Sequence, residues 1–172
     1  VRTFISSGMV KNEDRVFEEP RILFADEPFF KVFSFCLVEG NASTALSEPD
    51  KIVITQTVAK KYFGNEEALN KRLTVRGKEL IVSAVCEDAP QNSQLKFDMV
   101  TQFLNHSDNL KTETWWNANW ITYLLLRDKN NLAQLQNQVN SYMGTPGVRK
   151  EARLEGNDYL NYQLQPLSKV HL

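Results

Sequence analysis

The sequence predicts an α+β fold, and three observations support this prediction. Short β-branched and aromatic runs, bounded by Gly, Pro, Asn and Asp, indicate strands. Two segments with apolar residues at helical spacing indicate helices. Along the chain, some strands alternate with helices and others follow one another as hairpins, which is typical of α+β proteins. The chain has 172 residues, of which 42% are hydrophobic and 24% charged, so it is long enough to bury a core.

The clearest local pattern lies between Lys51 and Pro90. Ile52–Ile54 is a β-branched run typical of a strand that is buried on both faces. Thr55 offers a side-chain oxygen that can cap the start of a helix, and Gly64 is a suitable C-cap. Between these caps, four apolar residues share one helical face: Val58, Ala59, Tyr62 and Phe63.

A hairpin is predicted after this helix. Leu73–Val75 and Glu79–Val85 are typical of two strands, and the Arg76-Gly77 pair between them is suited to a tight turn. No residue of the stretch from Lys51 to Pro90 has an evident catalytic pattern. We therefore interpret this stretch as scaffold.

The remaining elements follow from the same rules. Residues 2–25 predict short strands linked by turns, and the phenylalanine-rich segment Phe29–Phe35 predicts a helical turn that leads into a strand. A helix with Leu132, Leu135 and Val139 on one face is expected to end at Gly144 and Pro146. Three further strands are predicted: Leu95–Val100, half-buried; Ile121–Leu126, buried; and Tyr159–Gln165, alternating.

Charge and composition exclude several classes of protein. Twenty Lys and Arg residues against twenty-one Asp and Glu give a formal net charge of −1, which makes nucleic-acid binding an unfavoured function. No apolar run approaches the roughly 20 residues of a membrane helix, and the chain starts at a valine without a leader pattern, so we expect an excised soluble piece. Cys36 and Cys86 lack metal or redox spacing; free thiols are favoured, with a disulfide as the alternative.

Motifs for catalysis are missing from the sequence. The seven glycines form neither G-x-G-x-x-G nor G-x-x-x-x-G-K, and no G-x-S-x-G serine motif is present. His106 and His171 are the only histidines, and without zinc-binding spacing we expect both to be solvated. Adjacent carboxylates such as Asp26-Glu27 and Glu87-Asp88 are expected to solvate loops or cap helices. We predict no catalytic residue, no cofactor-binding residue and no metal ligand.

One group of residues leaves two interpretations open. Trp115, Trp116 and Trp120 lie close together with Asn117 and Asn119, and such a combination of flat apolar rings and amides occurs on partner surfaces. Alternatively, the tryptophans pack at the edge of a strand, with Trp116 and Trp120 on the same face by period two.

Five segments, in order, resemble the MacB-like periplasmic core domain of FtsX-type ABC transporter permeases. They are Asp26–Gly40, Ile52–Gly64, Lys71–Val85, Glu87–Asp98 and Leu164–Leu172, and together they span most of the chain. No single segment is decisive, but five in the same order form a specific signal.

The resemblance implies an extracytoplasmic, non-enzymatic domain that lies between the first two membrane helices of a permease. It implies a porter-like lobe, near residues 1–64 and 128–172, and a smaller strand-rich lobe, near residues 65–127, within a single domain of residues 1–172. A cytoplasmic ATPase subunit or domain is the implied partner, with a periplasmic adaptor or envelope protein as a further candidate. The full-length permease is expected to be a dimer. It is also expected to lie in the inner membrane of a Gram-negative bacterium, with this domain in the periplasm.

Two departures from the family pattern accompany the resemblance. Family members carry a further strand-helix unit before the segment that starts at Val1, and Cys36 and Cys86 stand where the pattern has proline and a β-branched residue. The expected function is to couple ATP-driven conformational change to a periplasmic substrate or partner. The alternatives are an extracytoplasmic ligand-sensing or ligand-binding module and, more distantly, a hydrolase.

Overall fold

The structure is a computed structural model, which describes residues 1–13, 15–106, 120–128 and 131–170. The chain forms two compact units: residues 1–110 with 119–124, and residues 111–118 with 125–172. These boundaries are not those of the porter-like and smaller lobes expected from the sequence, and the lobe boundaries stay a prediction.

The first unit holds the strands and the first two helices, and the second unit holds two further helices. The combination confirms the predicted α+β class. Among the helices that the structure describes, none has both the length and the apolar composition required to span a bilayer. The elements are β1 (Arg2–Asn12), β2 (Arg15–Ala25), α1 (Phe29–Val32), β3 (Leu37–Gly40), β4 (Lys51–Thr55), α2 (Gln56–Phe63), β5 (Arg72–Val75), β6 (Lys78–Cys86), β7 (Met99–Gln102), β8 (Ile121–Thr122), α3 (Leu132–Met143) and α4 (Pro146–Glu151).

The strands of the first unit form one sheet that closes on itself. Its pairing order is β2, β7, β4, β6, β5 and β1, and the pairing of β1 with β2 returns the order to its start. β3 joins the sheet through β6, and β8 joins it through two residues of β1. The pairs β2–β7 and β4–β6 are parallel, and the other pairs are antiparallel.

The two faces of this sheet support two hydrophobic cores. In β4, Ile52 and Ile54 contribute to the first core, while Val53 contributes to the second, as the period of two requires. Helix α2 packs into the first core, and helix α1 packs into the second. This arrangement confirms the prediction that Ile52–Ile54 is a strand buried on both faces.

The region from Lys51 to Cys86 folds as its local sequence predicts. The Thr55 side chain accepts a hydrogen bond from the Val58 backbone amide and caps α2, and Gly64 ends the helix with a positive φ of 66°. Arg76 and Gly77 both have positive φ, at 50° and 82°, which suits the tight turn between β5 and β6. The predicted helical turn of the phenylalanine-rich segment is also confirmed, as α1 followed by β3.

The prediction of short strands over residues 2–25 is wrong. This segment forms a hairpin of two 11-residue strands, β1 and β2, whose register shifts between Ser6 and Gly8. Pro20 and Arg21 lie on β2 opposite this shift. Proline has no backbone N–H to donate to the strand pairing, so it is compatible with such a bulge. The charged and polar residues that suggested turns are instead exposed positions of long strands.

Three further strand predictions are wrong in part or in full. β7 starts only at Met99 and is completely buried, since it pairs with strands on both sides. The run Ile121–Leu126 forms only two residues of strand, and Ile121 is 50% exposed. Tyr159–Gln165 forms no strand; the Gln136 side chain on α3 instead binds the carbonyl of Tyr162 and the amide of Leu164.

The helix predicted from Leu132 onward is confirmed as α3. Its apolar residues Leu132, Leu135 and Val139 are only partly buried, and Met143 is the one residue of α3 that is fully buried. Pro146 does not simply end the helical region, because it is the first residue of α4, where its fixed φ and missing N–H are compatible with a helix start.

Candidate functional site

The tryptophan group is described in part. Trp115 and Trp116 lie outside the described residues, so their predicted partner-surface role stays a prediction. Trp120 is partly buried and packs edge-on against Phe103, with ring centroids 4.8 Å apart, and against Phe4, at 5.8 Å. These contacts favour the packing interpretation for Trp120.

His106 is half-buried, whereas the sequence suggested that it would be fully solvated. Its ring lies 4.1 Å from the Phe4 ring and 5.5 Å from the Trp120 ring, between centroids. Burial, and then the positive charge of Arg76, lower the pKa of His106 below its ordinary value of 6.5. The sequence pattern did not predict this position. The one signal in the sequence is that His106 follows the buried Phe103 by three residues, which places the two side chains on one face of a helical turn.

A buried carboxylate joins the β1–β2 hairpin to helix α2. Glu19 on β2 is only 4% exposed, and its Oε1 atom accepts hydrogen bonds from the Tyr62 hydroxyl, at 2.6 Å, and from Lys61 Nζ, at 2.7 Å. Burial, and then the hydrogen bond and charge of Glu19, raise the pKa of Tyr62. We call these three residues the Glu19 cluster.

The same end of α2 receives further contacts from the hairpin. Asn12 Nδ2 donates to the backbone carbonyl of Tyr62 at 3.2 Å, and Arg15 donates to the carbonyls of Lys61 and Tyr62 at 3.0 and 3.1 Å. These side chains satisfy carbonyl groups that have no partner within the helix. The Phe17 ring packs edge-on against the Tyr62 ring, with 5.6 Å between centroids. The hairpin and α2 are therefore joined by polar and aromatic contacts together.

An open cleft of about 650 Å³ lies beside this contact in the first unit. Its charged side chains have both signs, and two ion pairs, Glu66–Lys71 and Arg72–Glu79, form within its lining. A site for one strongly charged ligand would instead concentrate one sign of charge. The residues that line the cleft are Lys11, Asn12, Glu13, Arg15, Tyr62, Phe63, Glu66, Asn70, Lys71, Arg72, Thr74 and Glu79.

The two cysteines are free thiols. Leu37 pairs with Cys86 between β3 and β6, so the alternation of side chains directs Cys36 to the opposite face of the sheet from Cys86. Cys36 is exposed, whereas Cys86 is buried, and burial followed by the charge of Asp88 raises the pKa of Cys86 to about 12. Because the thiolate is the reactive form, Cys86 is an inert packing residue.

Within the described ranges, no group of three or more His, Cys, Asp or Glu side chains is placed so that it could hold a metal ion. The adjacent carboxylates noted in the sequence have other roles where the structure shows them. Asp26 binds the Arg2 guanidinium through both of its oxygens, at 2.9–3.3 Å. Burial alone would raise the pKa of Asp26, but the hydrogen bonds and charge of Arg2 outweigh it and lower this pKa.

Solved structures of other proteins share this architecture. A domain of a protein described as a permease from Porphyromonas gingivalis aligns with a TM-score of 0.71 and 22% identity, over 97% of this chain and 76% of that one. The periplasmic region of MacB from Actinobacillus actinomycetemcomitans aligns with a TM-score of 0.58 and 15% identity, over 82% and 66%. At these identities the likeness shows the fold alone.

A further structure has the same fold. The extracellular domain of the noncanonic ABC-type transporter YknZ from Gram-positive bacteria aligns with a TM-score of 0.57 and 16% identity, over 88% of this chain and 78% of that one. No curated protein sequence matches the chain. The family model described as "MacB-like periplasmic core domain" matches residues 1–142, which is most of the sequence. This chain belongs to the MacB-like periplasmic core domain family.

Proposed function

We propose that this chain is a non-catalytic extracytoplasmic domain of an ABC transporter permease, which couples ATP-driven conformational change to a periplasmic substrate or partner protein. The match to the MacB-like periplasmic core domain over residues 1–142 is the observation that carries this proposal. The buried carboxylate Glu19 joins the hairpin to α2 through its bonds with Lys61 and Tyr62, which gives the domain a fixed connection between these two elements.

The proposal includes three partners. A cytoplasmic ATPase subunit or domain would act on the domain through the membrane region of the permease, and a second permease copy would complete a dimer. A periplasmic adaptor or envelope protein would bind the exposed surface, with Trp115 and Trp116 as candidate contacts and Trp120 as a packed neighbour. The proposed location is the periplasmic side of the inner membrane of a Gram-negative bacterium.

Coupling can be tested in the full-length permease with its ATPase, in lipid nanodiscs. A spin label at Met9, which is 52% exposed on β1, would report the distance between the two copies of the domain; Cys36→Ser removes the exposed native thiol. We expect the distance distribution to differ between the ATP-bound and ADP-bound states. The isolated domain with added ATP is the control. Equal distributions in both nucleotide states would overturn the coupling.

The role of the tryptophans can be tested separately. We expect Trp116→Ala to retain the melting temperature of the domain and to reduce transport by the full permease, because a partner contact contributes to binding and not to folding. Trp120→Ala should instead lower the melting temperature, since Trp120 packs against Phe103. A large loss of stability in Trp116→Ala would assign Trp116 to the core.

The open cleft supports a second candidate, an extracytoplasmic ligand-sensing or ligand-binding module. Its volume of about 650 Å³ is within the range of small-molecule sites. Thermal-shift measurements with a panel of small polar metabolites would test this candidate. A shift that is seen in the natural protein and lost in both Lys71→Gln and Arg72→Gln would support a ligand-binding role for the domain over the coupling function. The absence of any shift would leave the coupling function as the better proposal.

A further inference from the structure

The histidine His106 lies inside an aromatic cluster built from four separate segments of the first unit. Its ring centroid is 4.1 Å from that of Phe4 on β1 and 5.3 Å from that of Phe24 on β2. It is 6.3 Å from Phe103 in the short 3₁₀ turn Phe103–Asn105, and 5.5 Å from Trp120, which directly precedes β8. The imidazole is therefore the common neighbour of all four rings.

The Nδ1 atom of His106 is buried and has no hydrogen-bond partner among the described residues. In the neutral ring this atom can remain unprotonated, so that only a lone pair is unsatisfied. The imidazolium form carries N–H groups on both nitrogens, and its Nδ1–H would then be a buried, charged donor without an acceptor. An unsatisfied buried charged group is more costly than an unsatisfied neutral one, so the surroundings of His106 favour the neutral ring.

The charge of Arg76 disfavours protonation of His106 further. Arg76, in the β5–β6 turn, lies over the Phe24 ring at 5.6 Å; Arg2, on β1, lies over the Phe103 ring at 4.3 Å, but its charge is paired with Asp26. Gly8 allows this approach, because a Cβ atom there would lie 2.5 Å from Arg76 Cγ.

The described acidic groups on the neighbouring elements are already engaged. Glu19, which β2 directs to the same face of the sheet, is bound by Lys61 and Tyr62, and Asp26, which follows β2, is bound by Arg2. The 3₁₀ turn and the segment Trp120–Thr122 carry no ionisable side chain. A protonated His106 would therefore face positive charge without a free described carboxylate to balance it.

The strand β8 is attached to the sheet partly through this cluster. β8 has two residues, which pair with Arg2 and Thr3 of β1, and both are exposed. The bond between the Tyr123 amide and the Val1 carbonyl, at 2.7 Å, extends this contact by one residue. A strand this short gains little from its own ladder, so the rings on either side of it contribute to its anchorage. Trp120 packs against His106, Phe4 and Phe103, and Tyr123 packs against Phe33 with 4.9 Å between ring centroids.

We propose that His106 makes the attachment of β8 sensitive to pH, because the neutral ring holds Trp120 in the cluster and the protonated ring releases Trp120 and β8 from the sheet. This property goes beyond the proposed coupling function and does not require it.

The direction of the effect follows from linkage. The pKa of His106 is lowered in the attached state and returns toward 6.5 when the ring is hydrated in the released state. The attachment is therefore fully favoured above pH 6.5 and weakens as the pH falls through the lowered pKa. Between the two pKa values, the ratio of attached to released β8 falls by about tenfold for each pH unit.

The test is an NMR titration of the isotope-labelled domain from pH 7.5 to 4.5. Imidazole signals of the two histidines would be assigned with His171→Gln, and backbone amide signals of Ile121, Thr122 and Tyr123 would report on β8. We expect His106 to titrate below pH 6.5, and the three amide signals to change with the same midpoint. His171→Gln should leave this transition unchanged, and His106→Phe should abolish it while preserving the spectrum at pH 7.5.

A second variant covers the case in which His106→Phe does not fold. Arg76→Gln removes the positive charge next to the cluster, so the midpoint of both His106 and the β8 amides should move to higher pH. Titration of His106 at or above pH 6.5, β8 amides that do not follow His106, or a transition that persists in His106→Phe would each overturn the proposal.

Discussion

The hydroxyl group of Tyr62 offers a direct measurement of how strongly the hairpin is joined to α2. Tyr62→Phe removes the hydroxyl that donates to Glu19 at 2.6 Å and leaves the packed ring, which is 2% exposed, in place. A hydrogen bond to a charged group contributes about 1.5–3 kcal/mol to stability. Lys61 still binds the carboxylate after the change, so we expect the lower part of this range, about 2 kcal/mol.

Urea unfolding followed by circular dichroism would measure this loss. With an m-value of about 2 kcal/mol/M, the midpoint should fall by about 1 M while the slope stays the same. Tyr159→Phe is the matched control, because Tyr159 is 83% exposed and its hydroxyl should contribute little. A double-mutant cycle with Glu19→Gln would isolate the coupling between the two side chains.

The reasoning would be refuted if Tyr62→Phe and Tyr159→Phe had the same midpoint. In that case the Glu19 carboxylate would not depend on Tyr62 for its burial. Tyr62→Ala also removes the ring and leaves a cavity, so it should lower the free energy of unfolding by about 3 kcal/mol or more, and Phe63→Ala should lower it by about 3 kcal/mol. Unchanged melting temperatures for both alanine variants would contradict the packing of α2 against the first core.

Three other changes have defined outcomes. Asp26→Asn should reduce stability at neutral pH and make stability depend less on acid, because the pKa of Asp26 is lowered beside Arg2. The ion pair therefore stabilises the fold fully above pH 3.8, and this contribution is lost as the pH falls through the lowered pKa. Melting temperatures of both proteins from pH 2 to 7 would show this difference, and parallel curves would contradict it. Gly40→Ala should lower the free energy of unfolding, measured by chemical denaturation, by about 1–3 kcal/mol, because φ is +89° and the new Cβ would lie 2.6 Å from the Ser83 carbonyl oxygen. Gly147→Ala is the control: its Cβ would meet no atom within 4 Å, so the free energy of unfolding should stay the same or rise. Thr55→Ala should cost about 1 kcal/mol by the same assay through loss of the α2 cap, and Thr55→Ser should restore most of it.

The candidate functional residues were harder to predict than the scaffold. Glu19 and its two partners are separated by 42 and 43 positions, so no local pattern links them. The cleft beside them is likewise assembled from the hairpin, α2 and β5. The tryptophan group was the one surface that the sequence singled out, and Trp120, its described member, packs into the aromatic cluster of His106.

The sequence by itself determined the elements whose boundaries are set by neighbouring residues. Thr55 and Gly64 delimit α2, and Arg76-Gly77 set the turn between β5 and β6, because caps and positive-φ turns depend on a few adjacent dihedrals and side chains. The resemblance to the MacB-like periplasmic core domain is likewise carried by the sequence alone, and the family match over residues 1–142, which contain four of the five segments, confirms it.

Only the tertiary structure decided which apolar runs become strands and which ionisable groups become buried. Ile121–Leu126 and Tyr159–Gln165 have strand-like patterns, yet the first forms two residues of strand and the second none, because a strand requires a partner that offers free backbone groups. The length of the β1–β2 hairpin, the burial of Glu19 and the enclosure of His106 follow from pairings between distant segments. Such pairings depend on the closure of the whole sheet, which no local window of sequence contains.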